Sequence, residues 1–319
     1  MRNILKYPPL EWRKQRQYCV PSGPNFAWAP TVKLSVGGSR LCFRAPRHAP
    51  RRRGVAQTRH PSGLDVLQDP YNHGMPAHSP GLMANDHWGS RSGISRRWAF
   101  WGPWMTGGKA ELAFSVSVMG RTPGHEFSEL SLFHPKAFGT VLAQYLDDRY
   151  GHENQEMGGG SRQTAYWHGP VNWKQREHLP VFSASFNIFR RESDMPGKTE
   201  AERLRLGHTP RHLFVFPITD QHFAHVVFEH HWYSTDDDGA PLFDPSPVQA
   251  LQEAIIDSFT LELSSEAQAS YDKVKSQHRD MQLSKDFAPL KWPTQTRGAD
   301  SEFGDDEPYE ASLALRGGL

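Results

Sequence analysis

The sequence predicts an α+β protein built from two antiparallel strand–strand–helix units, with a long irregular insertion and irregular termini. Three observations lead to this prediction. The motif Leu-Phe-x-Pro occurs at residues 132–135 and again at 242–245, each time just before a segment with helical periodicity. Runs of strand-like residues precede both copies. Because the strands come in runs rather than alternating singly with helices, an antiparallel arrangement is favoured over a doubly wound parallel sheet.

This organisation divides the chain into four parts. We expect an irregular, Pro-rich arm at residues 1–30 and a first sheet-plus-helix unit at residues 31–157. A second unit is expected at residues 158–282, and an acidic irregular tail at residues 283–319. Within the first unit, residues 44–91 are rich in Pro, Gly, His, Asn and Ser, which bury little apolar surface. This segment is therefore predicted to be a loop insertion.

The first unit should contain a hairpin followed by longer strands. A Gly37-Gly38 step separates two alternating segments, and such a step supplies the positive φ angles that tight hairpin turns need. In the longest run, Leu112 and Phe114 begin a series of large apolar residues at every second position, which predicts one buried face. The predicted strands are Thr31–Val36, Arg40–Phe43, Ser95–Trp101, Ala110–Met119 and Glu126–Phe133.

The helices are predicted from apolar residues at three- and four-residue spacings. The clearest stripe runs from Phe138 to Leu146, and Pro135 precedes it at the first helical position, where a missing N–H is harmless. The predicted helices are Lys136–Tyr150, Ser246–Leu263 and Glu266–Arg279, with a short charged helix at Lys198–Leu206. The strands predicted for the second unit are Leu179–Phe189, His212–Pro217 and His222–Tyr233.

Composition and charge exclude several classes of protein. The 319 residues carry a net charge of +1, which argues against a dedicated nucleic-acid or polybasic membrane binder. No apolar run is long enough for a membrane span, and the first 20 residues lack an apolar signal region, so a cytoplasmic location is expected. Cys19 and Cys42 could pair or stay reduced, and neither has metal-site spacing. We predict no metal and no cofactor.

The strand His222–Tyr233 has the densest set of ionisable residues. Alternation places His225, Glu229 and His231 on one face. Glu229 and His231 are two residues apart, about 6–7 Å along a strand, so both could reach one metal ion or one proton. This pair suggests a metal-assisted or general acid/base enzyme. The other interpretation is a solvated edge or surface strand, in which these residues have no chemical role.

Arginines form an unusual cluster in and before the predicted insertion. No acidic residue interrupts the series, which comprises Arg40, Arg44, Arg47, Arg51, Arg52, Arg53 and Arg59. Such a loop could bind nucleic-acid phosphates weakly through Arg44–Arg59, contact the acidic tail near Asp305, or bind a partner protein. Because the whole-chain charge is near zero, we favour protein contacts for Arg51, Arg52 and Arg53 on an exposed loop.

Tryptophans three residues apart lie at positions 98, 101 and 104. If Trp98 and Trp101 belong to one strand, they lie on opposite faces, so one should be buried and the other exposed. An exposed Trp beside a turn is a typical interface anchor, which makes Trp101 and Trp104 candidate partner-binding residues. Burial under the long insertion is the alternative.

Two segments resemble parts of a known family. Val32–Phe43 and Phe216–Phe223 are similar to hairpins of bacterial immunity proteins encoded with type VI secretion lipase effectors. The resemblance implies a non-enzymatic α+β protein that binds and blocks a toxin, and it assigns no functional residue. We therefore expect a protein-binding module, either toxin-neutralising or secretion-associated. Its partner would be a protein such as a toxin or effector rather than a membrane or nucleic acid.

Overall fold

A computed structural model describes residues 19–60, 63–68, 88–103, 106–122, 125, 127–151, 165–192, 208–236 and 240–283. The strands are β1 (Thr31–Val36), β2 (Ser39–Arg44), β3 (Trp88–Trp101), β4 (Gly108–Arg121), β5 (Ala165–Arg176), β6 (Ser183–Glu192), β7 (His208–Pro217), β8 (His222–Trp232) and β9 (Thr260–Glu262). The helices are α1 (Pro135–Leu146), α2 (Ser246–Asp257) and α3 (Ser265–Gln277).

The described strands form two sheets, and every pairing between neighbours is antiparallel. The larger sheet has the order β3-β4-β8-β7-β6-β5, and the smaller one has the order β1-β2-β9. Both strands and helices are present, so the α+β class is confirmed. Since β4 pairs with β8, strands from both halves of the chain share one sheet. The repeated unit and the division at residue 157 stay predictions.

The two faces of the larger sheet are covered by different elements. On β4, Leu112 and Phe114 are buried in a core shared with the β1–β2 hairpin, α2 and α3. The opposite face carries Met119, which is buried against α1 in a second core. The predicted alternation of large apolar residues on this strand is therefore confirmed. The molecule has three layers, with the larger sheet in the middle.

The strand β8 lies in the interior of the larger sheet, between β4 and β7. Its Val226 and Phe228 are buried in the core beneath the smaller sheet, and Phe223 is buried beneath α1. The interpretation of this strand as a solvated edge or surface strand is therefore wrong. Both of its faces are covered along most of its length, and its partly exposed residues are His222, Val227, Glu229, His231 and Trp232.

Several predicted elements differ from the structure. The segment predicted as the strand Glu126–Phe133 forms turns over its described residues, because Arg121 engages the carbonyls of Phe127 and Leu130. The strand β3 already begins at Trp88, so the irregular insertion is shorter than predicted. Helix α1 starts at Pro135 as predicted and ends at Leu146, where a π turn of five residues follows.

The strand β5 was not predicted, although it completes one edge of the larger sheet. Gly169-Pro170 interrupts its sequence, Asn172 has a φ angle of 55°, and its pairing with β6 shifts register twice. Proline in a sheet is confined to edges and bulges, so such a strand lacks the alternation that identifies central strands. The three-residue β9 lies in the segment predicted as the end of the helix Ser246–Leu263, so that prediction is wrong beyond Asp257.

Some predictions fall on residues outside the described ranges. These are most of the N-terminal arm, Trp104, the helix Lys198–Leu206 and the tail beyond Leu283. Within the described ranges, no helix combines the length and apolar character needed to cross a bilayer. Cys19 and Cys42 are both free thiols rather than a disulfide.

Candidate functional site

Glu229 and His231 lie in a row of ionisable residues that crosses four strands. The register of β8 with β4 places His231 opposite Glu111. On its other side β8 pairs with β7, so that Glu229 is opposite Arg211. Arg97 on β3 completes the row through an ion pair with Glu111, at 3.0 Å between Nη1 and Oε1. The sheet thus brings together three charged residues that the sequence does not associate with the Glu229–His231 pair.

The contacts of Glu229 favour a structural role in this row. Its Oε1 atom lies 2.6 Å from Arg211 Nε, which is a short ion pair. Its Oε2 atom lies 3.8 Å from His231 Nε2, beyond hydrogen-bonding distance. Burial lowers the pKa of His231, and the nearby Glu229 partly opposes that effect. The predicted pair is therefore adjacent in space, but the carboxylate is engaged by arginine rather than by the imidazole.

His225 lies apart from this row, about 13 Å along the strand from Glu229 at the standard rise. It is 8% exposed, and its ring meets the edge of Tyr145 from α1, with 5.3 Å between centroids. Burial, followed by the charges of Arg149 and Arg211, lowers the pKa of His225 to about 3. The structure thus makes His225 a neutral core residue. Among the described residues, no group of three potential ligands could hold a metal ion.

A second candidate site lies where β3 ends and β4 begins. Trp98 is fully buried and Trp101 is 49% exposed, so the predicted division between one core and one surface tryptophan is confirmed. Trp101 pairs with Gly108 of β4, and the carbonyl of the next residue, Lys109, accepts the backbone N–H of Tyr233. Trp101 and Tyr233 are therefore brought to the same end of the sheet from opposite sides of β4.

Arg51 joins these aromatic residues from the irregular segment after β2. Its guanidinium lies over the Tyr233 ring, with Cζ 4.2 Å from the centroid. Its backbone N–H donates to Glu111 Oε2 at 2.8 Å. A Cβ atom at Gly108 would lie 3.0 Å from Arg51 Nε and 3.5 Å from the Trp101 ring, so both side chains crowd this glycine.

We call this surface the Trp101 patch and define it by Arg51, Trp101, Tyr233 and Leu242. Leu242 follows Tyr233 through a loop closed by a hydrogen bond from its N–H to the carbonyl of Ser234. Tyr233 and Leu242 are 42% and 41% exposed, so the patch presents three large apolar side chains to solvent. Arg52 and Arg53 are exposed beside it, as predicted.

The arginines predicted as one cluster fall into separate places. The Arg44 side chain donates to the carbonyls of Phe26, Ala27 and Ala29, which fixes the chain before β1. Arg40 forms an exposed ion pair with Glu262. Arg51 belongs to the Trp101 patch and is followed in the chain by the exposed Arg52 and Arg53, whereas Arg47 and Arg59 line a cleft beside β1. The series therefore does not form one continuous basic surface.

Comparison of the chain with protein-family models, with curated proteins and with solved structures finds no match. The candidate site therefore depends on geometry alone. Sequence reasoning identified Arg51 and Trp101 but missed Tyr233 and Leu242. Tyr233 could have been recognised in the sequence because it ends a long apolar strand and shortly precedes the Asp-rich segment at residues 236–238.

Proposed function

We propose that this protein is a non-enzymatic protein-binding module and that the Trp101 patch is its principal contact surface. The observation that carries the proposal is the stacking of Arg51 on Tyr233 beside the half-exposed Trp101. Tryptophan, tyrosine and arginine are the residues most enriched among those that dominate binding energy at protein interfaces. Here all three types are adjacent in space, although they come from distant parts of the sequence.

The way in which these side chains are held also suits binding. Trp101 and Tyr233 extend from the ends of paired strands, so their backbones are fixed by the sheet. The Arg51 backbone is anchored by the buried carboxylate of Glu111. Side chains that are already ordered lose less conformational entropy on association, so a rigid patch binds more tightly than a flexible one of the same area.

The charge around the patch indicates the chemistry of the partner. Arg51, Arg52 and Arg53 follow one another in the chain, and all three are exposed. The complementary surface would combine an apolar pocket for Trp101 with a rim of carboxylates. A toxin or secreted effector is the class of partner that the hairpin resemblance suggests, and such a protein with an acidic rim is the first partner to test.

The test compares binding by wild-type protein and by a Trp101→Ala/Tyr233→Ala variant. Proteins retained by each from an extract of the source cells are identified, and the leading partner is purified and titrated by calorimetry. We expect the double variant to weaken binding by at least about 100-fold, because central aromatic residues contribute about 2 kcal/mol or more each. Trp28→Ala is the matched control, since Trp28 is 85% exposed and lies outside the patch.

Equal losses in the control and the patch variant would show that the patch has no special role. Binding unchanged by the patch variant would refute the proposal directly. A second copy of this chain is the other partner to test. If light scattering detects a dimer that the double variant abolishes, the patch binds a second copy of the chain rather than a different protein. Tight binding to duplex DNA or single-stranded RNA that an Arg51/Arg52/Arg53→Ala variant loses would instead support the nucleic-acid alternative.

The enzymatic alternative is tested by Glu229→Gln and His231→Ala. We expect both variants to bind the partner as tightly as the wild type, because neither residue belongs to the patch. Stoichiometric zinc or manganese bound by the wild type and lost in both variants would support the metal-assisted enzyme instead. The Arg211 ion pair explains why we give this alternative second place.

A further inference from the structure

A cleft of about 730 Å³ lies between the strand β1 and the segment of residues 47–60, and β3 forms its floor. This volume is in the range of small-molecule sites in proteins. The cleft is distinct from the Trp101 patch and shares no lining residue with it. Its ionisable lining residues are Lys33, Arg47, His48, Arg59, His60 and Arg96.

The lining is strongly basic and lacks a counter-charge. None of the residues that line the cleft is acidic. Among the described residues, no carboxylate forms an ion pair with Arg47, Arg59 or Arg96. Like charges held together in a partly enclosed site repel one another, so this arrangement is stabilised when an anion enters. The carboxylate of Asp65, which does not line the cleft, accepts the amides of Gly37 and Gly38 at the hairpin turn.

Arg96 is a partly buried arginine that lines the cleft and is already held in place by the protein. Its Nη1 atom donates to the carbonyls of Ala45 and Pro46, at 2.6 and 2.7 Å, which fixes the guanidinium in place. Its Nε atom is buried and has no acceptor among the described residues. Since Nε is closed off from solvent, the Nη2 atom, which makes no hydrogen bond to a described residue, is the donor left for an oxygen of an anion.

The backbone around Arg96 is adapted to this position. Gly93 is the extra residue of a bulge in β3, where the pairing with β4 passes from Ser92 to Ile94. A Cβ atom at Gly93 would lie 2.8 Å from Leu34 Cδ1, so the glycine lets β1 approach β3 closely. Bulges at sheet edges commonly redirect side chains next to functional sites. The bulge thus sets the register of Ile94 and Arg96 along the floor of the cleft.

The histidines of the cleft are fixed by the protein itself. His48 Nδ1 accepts the backbone N–H of Arg97, so Nε2 carries the proton that it donates to the carbonyl of Val55. His60 Nε2 contacts the carbonyl of Leu64 at 2.9 Å. These contacts hold both walls of the cleft in place and use none of the arginine side-chain N–H groups. The cations that remain for a ligand are Lys33, Arg47, Arg59 and Arg96.

We propose that this cleft binds a small phosphorylated metabolite, with Arg96 donating to a phosphoryl oxygen through Nη2 and Arg47 and Arg59 supplying further donors. A multiply charged phosphoryl group matches several convergent cations better than a single carboxylate does. Burial, followed by the charge of Arg59, lowers the pKa of Arg96, which is consistent with two guanidinium groups that share one site. The enclosing walls favour a small molecule over a nucleic-acid backbone.

The test is calorimetric titration of the full chain with pyrophosphate, with inorganic phosphate as a smaller probe and acetate as a monoanion control. We expect pyrophosphate to bind at about 1 mM or tighter, phosphate more weakly and acetate undetectably. In an Arg47→Gln/Arg59→Gln variant, pyrophosphate binding should weaken at least about tenfold. Both residues are exposed, so their replacement leaves the fold intact. Arg96→Gln should abolish binding but also frees two carbonyls, so the double variant is the decisive one.

The matched control is Arg52→Gln/Arg53→Gln, which removes the same charge outside the cleft. Its affinity for pyrophosphate should stay within about twofold of the wild type. Equal weakening in the two double variants would overturn the proposal in favour of general charge attraction, and so would a lack of pyrophosphate binding. Duplex DNA or single-stranded RNA that binds more tightly than pyrophosphate, and that the cleft variant alone loses, would assign the cleft to a nucleic-acid backbone instead.

Discussion

The guanidinium of Arg51 lies 4.2 Å from the ring centroid of Tyr233, although the two residues are far apart in the sequence. This contact joins the irregular segment after β2 to the end of the central strand β8. The backbone N–H of the same arginine donates to Glu111, a carboxylate that is only 3% exposed. The position of Arg51 therefore depends on one buried acidic residue as much as on the aromatic ring.

We expect Glu111→Ala to release the segment that contains Arg51, Arg52 and Arg53. The substitution removes the acceptor for the Arg51 N–H and the partner of Arg97. A hydrogen bond to a charged group contributes about 1.5–3 kcal/mol, so local opening should increase by about tenfold or more. Limited trypsin digestion with mass spectrometry would measure this as faster cleavage after these arginines. Glu262→Ala is the control, and equal cleavage rates in both variants would contradict the anchoring role.

Trp98 and Trp101 should differ sharply in their contribution to stability. Trp98 is fully buried, and its Nε1 donates to the carbonyls of Pro46 and Arg47. Replacing it with alanine should lower the free energy of unfolding by about 3–5 kcal/mol. Trp101→Ala should change it by less than about 1 kcal/mol, since the side chain is half exposed. Urea denaturation measures both values, and similar losses would show that Trp101 is structural.

The buried histidines should make the fold sensitive to acid. Burial, which outweighs the nearby charges, lowers the pKa values of His212, His222 and His230 to about 4. The unfolded chain takes up these protons near pH 6.5, before the folded state does, so stability is complete above about pH 7 and falls as the pH drops from 6.5 towards 4. For a well-buried imidazole such as His230, the difference between the unfolded and folded pKa values corresponds to about 3 kcal/mol in the free energy of unfolding.

His225 offers the most direct test of this pH dependence. It is buried, and its Nε2 atom has no hydrogen-bond partner among the described residues. His225→Leu should therefore keep the stability at pH 7.5 and reduce its decline between pH 6.5 and 4, because one buried base has been removed. Chemical denaturation across this pH range measures the effect. Superimposable profiles for the wild type and the variant would exclude a contribution from His225.

Arg121 should be one of the most important polar residues for stability. It is 8% exposed and donates to the carbonyls of Phe127, Leu130 and Asp220. Its replacement by methionine leaves these acceptors unpaired, so we expect a loss of about 3 kcal/mol in the free energy of unfolding. Arg40→Met is the control, because the exposed Arg40–Glu262 pair contributes less than about 1 kcal/mol. Comparable losses would contradict this account.

Much of the fold could be predicted from the sequence where strands are long and one face is buried. The alternation from Leu112 onwards and the helical stripe after Pro135 are both confirmed, because deep burial imposes a regular apolar period. The segment Glu126–Phe133 was wrongly predicted as a strand, because apolar residues in a series of turns can give the same short alternating pattern as a strand. The Arg121 contacts that hold it in turns come from the end of the preceding strand β4 and leave no periodic apolar pattern.

The candidate site could be predicted only in part for the same physical reason. The alternation around Trp98 and Trp101 is local, so it correctly separated a buried residue from an exposed one. The addition of Tyr233 and Leu242 depends on the register between β4 and β8, which a single sequence does not specify. The row around Glu229 depends on this register and on that between β7 and β8, and its ion pair with Arg211 became evident only in the assembled sheet.

The closure of the smaller sheet has a consequence for how the protein is made. The β1–β2 hairpin obtains its third strand from residues 260–262, and Arg44 contacts Ser258 across 214 positions of sequence. During synthesis on a ribosome, the hairpin must therefore wait until almost all of the described chain has emerged. Long-range pairing of this kind slows folding and leaves apolar surface exposed meanwhile. We expect nascent chains that stall before residue 258 to depend on chaperones, whereas chains released after residue 283 fold without them.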